Sequence, residues 1–224
     1  MLVADGPDVG EQLLLGLATG LFLILLAGRS SIPGSQIVCA MVIATAGELF
    51  LSLVWGLYSY RFAAIPYYVP IGHGVFYVLA AESALQETLR RHSAVITRVV
   101  LAGGTLYAVA SLVTASDVWG LLWWGGAVLI ITRSRSPLLM STCVVYTVLL
   151  EWLGTWLGNW RWEGTVPVIG LTSANPPSGV GILYCLLDLF TILVCSARWF
   201  ARLDRPLSFP RLQPLGTPAA EPGI

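Results

Sequence analysis

Seven apolar segments, separated by arginines, prolines and short polar turns, constrain the fold of this chain more than any other feature. Of its 224 residues 56% are hydrophobic and 11% are charged, whereas an average soluble domain carries about 25% charged residues. The pattern predicts an all-α, polytopic membrane helical bundle with seven transmembrane helices. The predicted spans are 13–28, 37–59, 65–85, 99–114, 118–132, 138–157 and 180–199.

The fourth and fifth spans are the weakest of the seven. They occupy 99–132 with only 115–117 between them, so each has fewer than the about 20 residues that a span usually needs. Both could extend into their flanks or cross a locally thinned bilayer. A bundle of six spans is the alternative.

The distribution of arginine predicts how the chain is oriented. With seven spans and the N-terminus outside, two arginines lie outside, Arg61 and Arg161, and the other ten lie on the cytoplasmic side. The positive-inside rule therefore favours an outside N-terminus and a cytoplasmic C-terminus in the plasma (inner) membrane. Acidic residues before the first span argue against a signal peptide. The formal net charge is zero, which gives no reason to expect nucleic acid as a partner.

Similar residues recur at a spacing of about one hundred positions, which predicts an internal repeat. Each copy contains a helix with a carboxylate, an aromatic hairpin with one arginine, a proline-containing loop and a helix that opens with Pro and Gly. Both copies run in the same direction, so we expect a 3+1+3 arrangement of parallel repeats. We predict one transmembrane domain over 1–204, with halves at 13–98 and 118–204, and a disordered cytoplasmic tail over 205–224.

Four ionisable side chains within the spans are candidate catalytic residues: Glu48, Glu151, Asp188 and His73. Such groups are costly inside a bilayer and therefore often mark functional sites. Each lies on a polar helical stripe, and the simplest packing directs all four stripes into one cavity. Desolvation in such a cavity disfavours a carboxylate anion, so the acid can stay protonated and donate a proton. The alternative is structural, because a buried carboxylate can also hold helices together.

Aromatic and basic residues near the outer ends are candidate substrate-binding residues. Trp55, Tyr77, Trp156 and Tyr184 are predicted to line the cavity, where their rings could stabilise a developing cation. Arg61 and Arg161 could bind an anionic head group, or they could be ordinary loop arginines. The other outer aromatics, and Trp123 with Trp124, fit an interfacial belt. We expect the segment 172–179 to break and restart a helix whose N-terminus would favour an anion.

Several familiar motifs are absent from the sequence. It lacks a Walker A loop, G-x-G-x-x-G after a strand, H-E-x-x-H, G-x-S-x-G and D-D-x-x-D, which argues against the enzyme classes that use them. The four cysteines lie in apolar runs without metal-ligand spacing, so we expect free thiols. No metal and no cofactor is predicted.

The stretch 151–162, which reads E-W-L-G-T-W-L-G-N-W-R-W, resembles the E-x-x-G-x-x-x-G signature followed by aromatic residues in membrane carotenoid hydratases. The 3+1+3 arrangement with membrane carboxylates also resembles the small multi-span lycopene cyclases, although their P-x-E-E motif is absent here. The resemblance implies a lipophilic polyene substrate and proton addition to a double bond by Glu or Asp, without a metal.

Three functions remain open from the sequence. The first is an enzyme that performs acid–base chemistry on an isoprenoid or carotenoid-like lipid in a cavity open to the bilayer. The second is a small-solute or proton-coupled transporter that uses the same carboxylates at mid-membrane. The third is a membrane accessory protein without turnover. All three have the lipid bilayer as a partner, and the first adds a lipophilic small molecule. The oligomeric state is open.

Overall fold

The computed structural model describes residues 8–62 and 64–195. These residues are mostly helical, with eight α-helices, one π-helical segment and two short strands. The helices are α1 (Val9–Ala27), α2 (Gly34–Glu48), α3 (Tyr68–Leu85), α4 (Glu87–Arg91), α5 (Ser93–Ala115), α6 (Val118–Arg133), α7 (Pro137–Trp156) and α8 (Ile182–Cys195). The π-helical segment is Leu49–Val54, and the strands are β1 (Tyr58–Tyr60) and β2 (Trp160–Trp162). The predicted tail over 205–224 lies outside the described residues.

Four helical segments in this part of the chain are long and apolar enough to cross a membrane: Val9–Ala27, Gly34–Val54, Ser93–Ala115 and Pro137–Trp156. Helices α6 and α8 are apolar but shorter. Together with α3, these six helical segments coincide with the seven segments predicted from the sequence. Large apolar side chains on the outside of the bundle, such as Leu17 at 70% exposure, provide the lipid-facing surface of a membrane protein.

The fourth predicted span extends into its N-terminal flank, which is one of the two outcomes expected for it. Helix α5 begins at Ser93, six positions before the predicted start of that span at 99, and has 23 residues. A charged side chain, Arg98, marked the predicted boundary. Arginine is a good helix former, however, and its long side chain reaches the interface from within a helix, so it did not end this one. Helix α6, with 16 residues, keeps the short length that was expected.

The second predicted span ends earlier than position 59. Helix α2 passes into the π-helical segment, which ends at Val54. Gly56 then adopts a positive φ of 73°, a left-handed conformation that glycine adopts without steric cost. The chain leaves the helix there, so Ser59 lies in strand β1. The same change of direction follows α7, where Gly158 has a φ of 72° before strand β2.

The two strands pair antiparallel, with Tyr58 opposite Trp162, Ser59 opposite Arg161 and Tyr60 opposite Trp160. The two aromatic hairpins that the sequence suggested are therefore joined in one small sheet. Because α2 and α7 both run towards this sheet, it covers one end of the bundle. At the opposite end lie the described turns that follow α1, α3 and α6, and with them Arg29, Arg90, Arg91, Arg98, Arg133 and Arg135.

The loop before α8 is organised by Asp117, a fully buried carboxylate. Its Oδ atoms accept hydrogen bonds from the backbone N–H groups of Gly120 (3.0 Å), Ala174 (2.9 Å) and Ser178 (2.7 Å), and from the Ser111 hydroxyl (3.1 Å). The expected helix break at 172–179 is wrong, because this segment is irregular and follows β2 without a preceding helix. The anion bound by its N–H groups is the chain's own Asp117.

Two clusters of buried apolar side chains hold the described helices together below the sheet. Helix α3 contacts α1, α2 and α7, while α8 contacts α2, α6 and α7. Trp124 is 4% exposed, and its indole Nε1 donates to Thr105 Oγ1 at 3.0 Å. The expected interfacial position of Trp124 is therefore wrong. Its ring lies against Gly104, where a Cβ atom would leave no room for it.

Candidate functional site

A cavity of about 660 Å³ lies between α2, α3, α7 and α8, directly beneath the two-stranded sheet. This volume is within the range of small-molecule sites, about 300–1,000 Å³. Both carboxylates that the sequence placed at matching positions line it, Glu48 from α2 and Glu151 from α7. The polar and aromatic lining is completed by Tyr58, Tyr60, Tyr68, His73, Phe76, Tyr146, Thr147, Trp160, Trp162 and Tyr184.

Glu48 is held by three side chains of the first half of the chain. Its Oε2 atom accepts hydrogen bonds from the Tyr58 hydroxyl at 2.5 Å and the Tyr60 hydroxyl at 2.6 Å. Its Oε1 atom lies 3.3 Å from His73 Nε2. Alternate residues of a strand point to the same face, so β1 presents both hydroxyls to one carboxylate. Burial, and then the charge of Glu48, raise the pKa of Tyr60 well above its usual value, so this hydroxyl keeps its proton and donates.

Glu151 has an equivalent pair of donors from the second half. Its Oε2 atom accepts hydrogen bonds from the indole Nε1 of Trp160 and from that of Trp162, each at 2.8 Å. No donor approaches its Oε1 atom within the described residues. Strand β2 therefore supplies two hydrogen-bond donors to Glu151, as β1 does to Glu48, but the donors are indoles instead of phenols.

A hydrogen bond between His73 and Tyr184 joins the two halves at the cavity. The His73 Nδ1 atom lies 2.7 Å from the Tyr184 hydroxyl, while Nε2 of the same ring faces Glu48. Tyr184, His73 and Glu48 thus form a polar chain with one hydrogen bond, between Tyr184 and His73, and one contact at ion-pair distance, between His73 and Glu48.

The rest of the cavity wall is apolar and reaches the outside of the bundle. Leu149, Leu153 and Phe190 line the cavity and are also 55%, 44% and 50% exposed. Since these side chains lie on helices with an apolar outer surface, the cavity borders the region that lipid chains occupy.

Other predicted site residues lie away from the cavity. Asp188 is 2% exposed and accepts a hydrogen bond from the Cys143 thiol, with 3.1 Å between Sγ and Oδ2. It does not line the cavity, and its carboxylate is turned towards Cys143 on α7 instead. Tyr77 also lies outside, where its hydroxyl accepts a hydrogen bond from Gln36 Nε2 at 2.5 Å. All four predicted stripes therefore reach one cavity, through Glu48, His73, Glu151 and Tyr184, but Asp188 and Tyr77 do not line it.

The two tryptophans expected in the cavity are outside it as well. Trp156 is 80% exposed at the end of α7. Trp55 donates from Nε1 to the carbonyl oxygen of Pro167 at 3.0 Å and packs edge-on against Trp119. Helical spacing aligned Trp55 with Glu48, but the π-helical segment Leu49–Val54 lies between them and changes that alignment. Trp156 was expected in the cavity from its depth, and its position five residues after Glu151 on α7 places it on another face of the helix.

Both outer arginines are exposed, and neither forms an ion pair within residues 8–62 and 64–195. Arg161 points away from the cavity, because it alternates with the buried Trp160 and Trp162 on β2. Arg61 lies beyond β1, with its guanidinium carbon 5.4 Å from the centre of the Phe62 ring.

The strand aromatics are the site residues that the sequence reasoning missed. Tyr58, Tyr60, Trp160 and Trp162 were assigned to an interfacial belt. Two signals could have found them, their i, i+2 spacing and their similar separation from a carboxylate in each copy. Gly154 is a third signal, because its missing side chain leaves room for the Trp160 ring, whereas helix packing was expected from the G-x-x-x-G spacing.

Comparisons with protein-family models, with curated proteins and with solved structures found no match to this chain. The described residues contain no group of three or more His, Cys, Asp and Glu side chains that could hold a metal ion.

Proposed function

We propose that this chain is a membrane enzyme that performs acid–base chemistry on a lipophilic, isoprenoid or carotenoid-like substrate. The observation that carries the proposal is that Glu48 and Glu151 line one apolar cavity with different hydrogen-bond partners. Two carboxyl groups in different environments can divide the roles of acid and base. The resemblance of 151–162 to carotenoid hydratases supports a polyene as the substrate.

In this mechanism Glu151 is the acid. Its free Oε1 atom carries the proton, while two indoles fix Oε2. The π electrons of a substrate double bond form the new C–H bond, which leaves a carbocation on the substrate and a carboxylate on Glu151. The aromatic rings of the cavity stabilise that cation by cation–π attraction, which is worth up to about 2 kcal/mol when the cation is desolvated.

Glu48 is the base in the second step. The cation loses a proton from a neighbouring carbon to Glu48, which gives an isomerised or cyclised product, or it binds a water molecule whose proton passes to Glu48. His73 and Tyr184 support Glu48 as members of the same polar chain. Return of the proton from Glu48 to Glu151 by exchange through water completes the cycle, so the reaction needs no oxidant and no reductant.

We also propose the seven-span, 3+1+3 architecture with an outside N-terminus. Three features support two equivalent halves: the left-handed glycines after α2 and α7, the pairing of the two hairpins, and the equivalent capping of each carboxylate. A fourth feature is a pair of similar glycine contacts, one in each half. Gly74 lies close to Met41 of the helix that carries Glu48, and Gly181 lies close to Val144 of the helix that carries Glu151. The six described arginines at the end opposite the sheet support a cytoplasmic position for that end.

The first test identifies the ligand and then removes the carboxyl groups one at a time. Mass spectrometry and absorbance of protein purified in mild detergent should reveal a stoichiometric polyene or prenyl lipid. Glu48→Gln and Glu151→Gln should each lower turnover of that lipid by at least 100-fold, since acid–base groups contribute about 10²–10⁴-fold. Glu82→Gln is the matched control, because Glu82 instead accepts hydrogen bonds from Ser30 and Ser31.

Two results would contradict the enzyme proposal. One is purification with bulk phospholipid alone. The other is full turnover in both variants when their thermal unfolding matches that of the wild type. Proton-coupled uptake of a solute by reconstituted vesicles, lost in the same two variants, would instead support the transporter.

A further inference from the structure

A second cavity, of about 600 Å³, lies at the end of the bundle opposite the sheet. It is an open groove between two turns, the one from α3 through α4 to α5 and the one from α6 to α7. Its lining consists of Ala84, Arg90, Ser93, Ala94, Thr97, Arg98, Arg135, Ser136, Pro137 and Leu138. It shares no residue with the cavity of Glu48 and Glu151.

The charges in this groove are all positive. Three guanidinium groups line it, those of Arg90, Arg98 and Arg135, and its lining includes no carboxylate. Two acidic residues lie near the lining residues in the sequence, and both have other partners. Glu87 forms an ion pair with Arg91, with 2.9 Å between Oε1 and Nε, and Glu82 accepts hydrogen bonds from Ser30 and Ser31. Within the described residues, no acceptor hydrogen-bonds to any of the three lining guanidiniums.

The position of the groove indicates the chemistry of its ligand. Two candidate spans, α5 and α7, begin at its wall, so the groove lies where the apolar part of the bundle ends. Phospholipid phosphates lie at this depth, and basic pockets between membrane helices bind anionic head groups. Guanidinium groups suit phosphate because they donate paired, parallel hydrogen bonds. The hydroxyls of Ser93, Thr97 and Ser136 add short donors.

We propose that this groove binds a phosphate group with uncompensated negative charge, supplied by the head group of an anionic phospholipid. The proposal is independent of the chemistry at Glu48 and Glu151. It also gives the three arginines a shared role beyond that of setting orientation.

The test is native mass spectrometry of the delipidated full-length protein, titrated separately with phosphatidylglycerol, phosphatidylcholine and inorganic phosphate. We expect phosphatidylglycerol to bind at least tenfold more tightly than phosphatidylcholine. The double variant Arg98→Gln with Arg135→Gln should lose that tenfold preference. The control is Arg133→Gln, which removes an exposed arginine from the same end but outside the groove and should retain it.

Two further results would show whether the bound phosphate comes from a lipid or a soluble molecule, and whether the groove binds phosphate at all. Saturable binding of inorganic phosphate, lost in the double variant but not in the control, would keep the phosphate site and assign a soluble source. Equal binding of both lipids, or equal losses in the double variant and the control, would overturn the proposal. The lining arginines are exposed, so the variants should fold. Arg135→Gln alone replaces the double variant if the latter unfolds in detergent.

Discussion

Single side chains decide how the two cavity carboxylates differ. Glu48 has two phenol donors and an imidazole, whereas Glu151 has two indole donors. Both sets come from three-residue strands of related pattern, Tyr-Ser-Tyr and Trp-Arg-Trp. The chemistry at each carboxylate can therefore be altered through the strand without changing a helix.

Tyr60→Phe removes one of these donors and leaves the ring in place. We expect it to lower the free energy of unfolding by about 1.5–3 kcal/mol, the range for a hydrogen bond to a charged group. The measurement is detergent-solubilised thermal or denaturant unfolding followed by tryptophan fluorescence. Tyr67→Phe is the control, since Tyr67 is 52% exposed and should change stability by less than about 0.5 kcal/mol. Equal effects of the two variants would contradict the role assigned to Tyr60.

Asp117→Asn tests the carboxylate that organises the loop before α8. Both Oδ atoms accept backbone N–H donors, so the amide NH₂ of asparagine would face a donor. We expect a loss of about 1–3 kcal/mol and faster proteolysis within 172–179. Asp8→Asn is a matched control at the start of α1, where one N–H donates to the side chain. It should be nearly neutral, because Asn and Asp cap equally well. Unchanged proteolysis in Asp117→Asn would contradict this account.

At the scale of elements, the two halves of the site differ by one inserted residue, which lies between the carboxylate and the strand of the first half. Tyr58 follows Glu48 by ten positions, whereas Trp160 follows Glu151 by nine. The π-helical segment Leu49–Val54 accommodates the extra residue, because a π-turn holds one more residue than an α-turn while keeping the flanks in phase.

Deletion of Leu53 should convert this segment to α-helix and keep Glu48 beneath its tyrosines, with a small change in the midpoint of thermal unfolding. Deletion of Leu153 in α7 is the matched change, also at an exposed leucine. Helix α7 has no π-turn that could absorb the deletion. The deletion should therefore rotate Glu151 by about 100° relative to β2 and lower the midpoint of thermal unfolding by many degrees. If the Leu53 deletion lowers the midpoint of thermal unfolding more than the Leu153 deletion does, the π-helical segment does not accommodate an inserted residue.

At the scale of the whole molecule, the positions of the arginines predict which end faces the cytoplasm. Thr88→Cys lies at the arginine-rich end and Glu163→Cys at the sheet end, and both positions are exposed. In intact cells a membrane-impermeant maleimide should label Glu163→Cys and leave Thr88→Cys unlabelled until the cells are lysed. The native Cys39, Cys143 and Cys185 are buried, whereas Cys195 is half-buried, so both variants carry Cys195→Ser to keep the background low. The reverse pattern of labelling would invert the proposed orientation.

The sequence by itself determined the apolar helices and the candidate carboxylates. Hydropathy and periodicity located seven of the eight described α-helices, because each of the seven carries its own apolar run. The cost of burying charge pointed to Glu48, Glu151 and His73. Local pattern also placed the turn between α5 and α6 at 115–117, and in the structure it occupies 116–117. These properties depend on residues that are close together in the chain.

Only the tertiary structure decided which of these residues meet. Asp188 and Tyr77 have the helical spacing of site residues, yet both face other partners. The pairing of β1 with β2 joins residues about one hundred positions apart, and no local pattern specifies such a contact. Strand pairing, the π-turn and the rotation of each helix depend on packing between distant segments. They converted four aromatics that look interfacial in the sequence into the hydrogen-bond donors of the two cavity carboxylates.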